Sequence, residues 1–113
     1  MQITFSGDGK RTEVTITGRI TYADLDFKQD PLLVHSPDIY SRTVLFNLSG
    51  VEYIDSSGVS WLLTFHRKFR EAGGKLILHS LHPMVLQVLQ VLRLEKVLNL
   101  AESAKHAEAE VLT

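Results

Sequence analysis

The chain has 113 residues, 44% of them hydrophobic and 22% charged. That is the size and make-up of one globular domain, which buries roughly 65% of its unfolded surface and needs no metal or disulfide to fold. Its 12 basic and 13 acidic side chains leave a net charge of −1, which excludes the long-range positive field by which nucleic-acid binders gather phosphates. With no cysteine, disulfide frameworks and thiolate nucleophiles are excluded as well.

Ile3 to Phe5 and Glu13 to Thr17 alternate apolar with polar residues on either side of Gly7-Asp8-Gly9, which predicts a β-hairpin whose second strand ends at Gly18. Residues 19–42 hold Pro31 and Pro37 and no persistent helical stripe. They allow only a short helix, capped by Asp30 with Pro31 at its first position. Thr43 to Leu48 is a continuous apolar run, the pattern of a central strand covered on both faces. Ser49-Gly50 is expected to break it, and Val51 to Ile54 carries the chain on to Asp55-Ser56-Ser57-Gly58.

A helix then runs to about Ala72, with Val59, Leu62, Leu63, Phe65 and Phe69 on one side and Ser60, Thr64, Arg67, Lys68 and Glu71 on the other. Gly73-Gly74 stops it, and Lys75 to His79 forms the next strand. Pro83 opens a further helix with its body at Met84 to Leu92, Leu94 to Leu100 is a short apolar segment suited to an edge strand, and the Ala- and Glu-rich tail from Ala101 to Leu112 reads as a last helix. The fold class is α/β: a single domain over residues 1–113, with a mixed, partly parallel sheet of four to five strands and packed helices.

The N-terminus lacks the basic and apolar regions of a signal peptide, and Met84 to Leu92 is too short to span a bilayer and carries Gln87 and Gln90. A cytoplasmic protein without direct membrane insertion is expected. Of the five histidines, His79 and His82 lie close together but lack a third ligand at convincing spacing, so no metal site is assigned and surface or capping roles are expected. His66 falls toward the apolar side of its helix and is expected to be partly buried and hydrogen-bonded. Ser57 lacks the Gly-x-Ser-x-Gly setting of a hydrolase nucleophile, and no histidine has a claim to the base role. No cofactor-binding motif is present, since Gly7-Asp8-Gly9 lacks the pattern of a phosphate loop. The chain is read as a binding protein and not as an enzyme.

Asp55-Ser56-Ser57-Gly58 stands where a strand gives way to a helix. Asp and Ser satisfy the unpaired N–H groups of a first helical turn, so an ordinary N-cap accounts for the motif taken alone. The wider stretch from Val44 to Val59, followed by Arg70 to Leu78 with its Ala72-Gly73-Gly74 helix stop, resembles the STAS domain family, which includes bacterial anti-sigma factor antagonists. Val88 to Leu98 resembles the family's penultimate helix and the segment after it. The resemblance departs at residues 19–42, where two prolines stand in place of the amphipathic helix usual in the family.

The resemblance implies that Ser57 is a regulatory phosphorylation site, with Asp55, Ser56 and Gly58 as the supporting motif. It implies a kinase-type anti-sigma factor as partner, bound while Ser57 is unphosphorylated, and a metal-dependent phosphatase that restores that state. The alternative is a STAS-type accessory subunit docking on an ABC transporter ATPase; the Ser56-Ser57 pair favours the phosphorylation switch. Ser60, Trp61, Thr64 and Lys68 continue the stripe of Ser57 and are candidate partner contacts. Trp61 is either an exposed hot spot or packs on the 19–42 segment.

Overall fold

The structure is a computed structural model that describes the backbone of residues 1–8 and 11–111 and the side chains of residues 1–7 and 11–107. Five strands form one sheet in the order β1-β2-β3-β4-β5: β1 (Gln2–Asp8), β2 (Arg11–Ile20), β3 (Thr43–Ile54), β4 (Lys75–His79) and β5 (Asn99–Ala101). β1 and β2 form the expected antiparallel hairpin, whose turn residues Gly9 and Lys10 lie outside the described residues; all other neighbours are parallel. The sheet is therefore mixed.

Two strand ends predicted from glycines are corrected. β2 runs past Gly18 to Ile20, with Gly18 at φ +95° and a register shift beside it. The glycine makes an irregularity inside the strand instead of ending it. β3 likewise continues through Ser49-Gly50 to Ile54, a strand of 12 residues, because Gly50 stays paired with Thr17.

The apolar run of β3 is covered on both faces, as its lack of alternation predicts. Val44, Phe46 and Leu48 join the main core with α2 (Ser56–Glu71) and α3 (Pro83–Val91). Leu45 faces the other way, in a small cluster with Ile77 and Ala107 of α4 (Ala104–Val111). His79, expected at the surface or in a cap, is instead fully buried at the end of β4, its Nε2 3.0 Å from Glu13 Oε1 and its Nδ1 2.9 Å from the Ser80 hydroxyl, so both ring nitrogens have partners.

The irregular segment holds a short helix α1 (Pro31–His35), with Asp30 as its cap and Pro31 at its first position, as the sequence predicts. Asp30 does more than cap. Its Oδ1 accepts the amides of Leu32 and Leu33 at 3.0 and 3.2 Å, while its Oδ2 accepts the Tyr40 hydroxyl and Lys68 Nζ, the latter at 2.8 Å. One carboxylate thus joins α1 and the segment before β3 to α2. His82 caps α3, its Nδ1 accepting the Met84 amide at 3.1 Å.

Candidate functional site

β2 and β3 are parallel and end level, Ile20 beside Ile54. The segments that leave them therefore emerge side by side at the carboxyl end of the strands, the edge where open α/β sheets place their sites. The Asp55 amide donates to the Ile20 carbonyl at 3.3 Å. Asp55 is the N-cap of α2, its Oδ1 accepting the Gly58 amide at 2.8 Å and its Oδ2 the Tyr22 amide at 2.9 Å. Donation by Tyr22 and then by Gly58 holds the Asp55 carboxyl below its usual titration range, so it is ionised at neutral pH.

Ser56 and Ser57 occupy the first two helical positions of α2; Ser56 is exposed and Ser57 half-buried. Because Asp55 fills the capping role, the Ser57 hydroxyl is not needed for it. Gly58 is fixed by close approach: a Cβ there would come within 2.1 Å of the Ile20 carbonyl oxygen and 2.6 Å of Ile54 Cγ1. The start of α2 thus packs directly on the end of β2.

The stripe predicted to continue along α2 is corrected at Trp61. Its side chain is only 8% exposed, with its ring edge-on to Phe65 at 4.7 Å between centroids. Ser60 is exposed, and its carbonyl accepts the Thr64 hydroxyl at 2.8 Å. Lys68 is committed to Asp30 and lies 5.6 Å from the Tyr40 ring centroid. His66 is half-buried, and burial, then the nearby Arg70 charge, lowers its titration. Among the described residues no group of three His, Asp or Glu side chains is placed to hold a metal ion, and no helix is long and apolar enough to cross a membrane.

Two features beside the corner escape sequence reading. An apolar groove of about 490 Å³ lies between α2 and α3, and Asp55 and Ser56 form part of its lining. Tyr22, whose amide Asp55 holds, packs on Phe27 with both rings open to solvent.

The domain thus presents a serine pair, beside the Asp55 cap, at the carboxyl edge of its parallel strands. A family model of the STAS domain matches residues 5–107, and the chain belongs to that family. Solved structures agree on the fold. The candidate anti-sigma factor antagonist tm1081 of Thermotoga maritima superposes with a TM-score of 0.83 at 18% identity, over 98% of this chain and 95% of its own. An anti-sigma factor antagonist (STAS) domain protein of Planctomyces limnophilus gives 0.75 at 20% identity, over 98% of each chain. The Bacillus cell fate determinant SpoIIAA in its phosphorylated form gives 0.66 at 18%, over 97% of this chain and 99% of its own. No curated protein sequence matches the chain.

Proposed function

We propose that the chain is a phosphorylation-controlled protein-binding switch of the anti-sigma factor antagonist type. Its partner is a kinase-type anti-sigma factor, bound while the Ser57 hydroxyl is free, and a metal-dependent phosphatase reverses the modification. The observation that carries this reading is the position of Ser57, half-buried at the second position of α2 while Asp55 holds the cap. A phosphoryl group there adds about −1.5 to −2 charges at neutral pH. The helix N-terminus accommodates that charge within the domain. A partner pressed against the same corner meets a dianion beside the Asp55 carboxylate and must desolvate it. The fold is kept and the contact is lost. Ser60, exposed one turn on, extends the contact surface; Trp61 serves the core beneath it.

Ser57→Asp is expected to leave the fold intact and weaken binding of the anti-sigma factor by roughly 5- to 150-fold, as read by calorimetric titration. Unchanged affinity would overturn the switch. Ser57→Ala is expected to bind, to take no phosphate by intact mass after incubation with the kinase and ATP, and to lose at most about 1 kcal/mol in chemical unfolding. Phosphate added to that variant would move the site to another residue.

A further inference from the structure

At the far end of α2 from Ser57, about 20 Å along the helix axis, a second cleft of about 470 Å³ opens between the end of the helix and the starts of β4 and β5. His66 and Arg70, one turn apart on α2, line it together with Lys75 at the start of β4, and no Asp or Glu does. In a chain of net charge −1 that is an uneven placement of charge. Among the described residues none of these three side chains makes a hydrogen bond or an ion pair. Half-buried His66, expected from the sequence to be hydrogen-bonded, is included. Cations in a last helical turn ordinarily complement the helix dipole. Here the carbonyls of Phe69 and Arg70 already accept the Gly74 and Gly73 amides at 2.8 and 3.4 Å, and the dipole does not account for Lys75, which lies beyond the helix. We infer that the cleft is a binding site for a small phosphate monoester, its oxyanion held between Arg70 and Lys75 and its organic body against the apolar side of the cleft.

The chemistry of the walls selects that class. A guanidinium fork and an ammonium together match the charge of a phosphate dianion, and they offer more donors than the two oxygens of a carboxylate can take. Phe69 and Leu76, each 1% exposed, form the floor, and Val97, 50% exposed, adds an apolar wall. A bare inorganic ion would leave that surface wet, and the volume is that of a small-molecule site. The rim is fixed before any ligand arrives: the Lys75 amide donates to the Arg42 carbonyl at 3.0 Å, and a Cβ on Gly74 would come within 2.2 Å of the Tyr40 carbonyl oxygen. Gly73 leaves open space beside it, since a Cβ there would meet nothing within 4 Å. His66 takes part through its proton. Burial, then the Arg70 charge, lowers its titration, and a bound dianion offsets that charge and raises it again. The site stands independently of the Ser57 switch and leaves that corner free.

The test titrates phenyl phosphate into the isotope-labelled protein. The Gly73 and Gly74 amide resonances are expected to shift saturably with a Kd of about 1 mM or tighter, and the His66 ring to titrate about one unit higher with the probe bound. Arg70→Gln and Lys75→Gln are each expected to weaken binding by roughly fivefold or more. Lys28→Gln removes the same charge from an exposed residue outside the cleft and is expected to change affinity by less than about twofold. Inorganic phosphate and benzoate are expected to bind at least about fivefold more weakly than phenyl phosphate. Unfolding curves matching the wild type keep a folding defect out of the comparison. No saturable shift up to about 20 mM probe, or an affinity that both cleft variants retain, would overturn the site. Inorganic phosphate or benzoate binding as tightly as phenyl phosphate would overturn the ligand class.

Discussion

Asp30→Ala is expected to cost about 2–4 kcal/mol of folding stability, the sum of a lost helix cap and a buried hydroxyl left without its acceptor. The carboxylate receives two amides of α1, the hydroxyl of buried Tyr40 and the ammonium of Lys68. Tyr40 is only 9% exposed and packs edge-on against Phe69, so water does not readily replace the lost acceptor. Burial, followed by the hydrogen bond to Asp30, raises the Tyr40 titration, so its hydroxyl is a protonated donor at neutral pH.

The pH dependence is set by the sign of the Asp30 shift. Burial acts to raise its carboxyl, but the hydrogen bonds from Lys68, Tyr40 and Leu33, with the Lys68 charge, outweigh it and lower the folded value below the ordinary 3.8. A depressed folded value means stability that is fully present above the unfolded value and lost as pH falls through the folded one. The gap between wild type and Asp30→Ala is therefore expected to be constant over roughly pH 5 to 7, and to narrow below 3.8. Chemical unfolding of both proteins across pH reads this directly. A gap that stays level down to about pH 2 would remove the ionised carboxylate from the network.

How much of the molecule could be read from its residues depends on the range of the forces involved. The Asp55 corner and the Asp30-Pro31 helix start were legible because capping is decided by side chains within three residues of the amides they serve. Gly18 and Gly50 misled as strand ends, because a glycine marks local freedom and only pairing with a neighbouring strand decides whether the ladder continues. Trp61 stood between an exposed and a packed reading for a geometric reason, and the structure buries it. Four residues beyond Ser57, it lies only about 40° round the helix from it, at the border of the two faces. A large ring at such a border turns inward when an aromatic neighbour is within reach, and Phe65 is that neighbour.

The groove and the Tyr22–Phe27 pair were not legible. The pair lies in a segment without periodicity, and reaches the corner only because β2 and β3 end level. The apolar residues of α3 point in more than one direction, which in a sequence reads as deep packing, yet of them only Val85 and Leu89 are fully buried.

Gly58→Ala sets two effects of opposite sign against each other. Alanine is better than glycine inside a helix by about 1 kcal/mol, so propensity alone predicts a more stable protein. The added methyl, however, would stand 2.1 Å from the Ile20 carbonyl oxygen, a backbone atom that cannot swing aside as a side chain does. Relieving that overlap means moving β2 away from α2, at a cost of about 2–3 kcal/mol or more. Gly58→Ala is expected to be destabilising, and Gly58→Val, which adds branching at the same point, more so by over about 1 kcal/mol. The Ile20 carbonyl also accepts the Asp55 amide, and Tyr22, two residues on, donates to Asp55. The same displacement therefore loosens the cap and shifts the aromatic pair. Calorimetry should show a midpoint lowered by roughly 4 °C or more, and the Tyr22 and Asp55 amide resonances should move while those of β5 stay in place. An alanine variant as stable as the wild type would mean that α2 does not begin in contact with β2, and with that the rigid presentation of Ser57 would lose its structural basis.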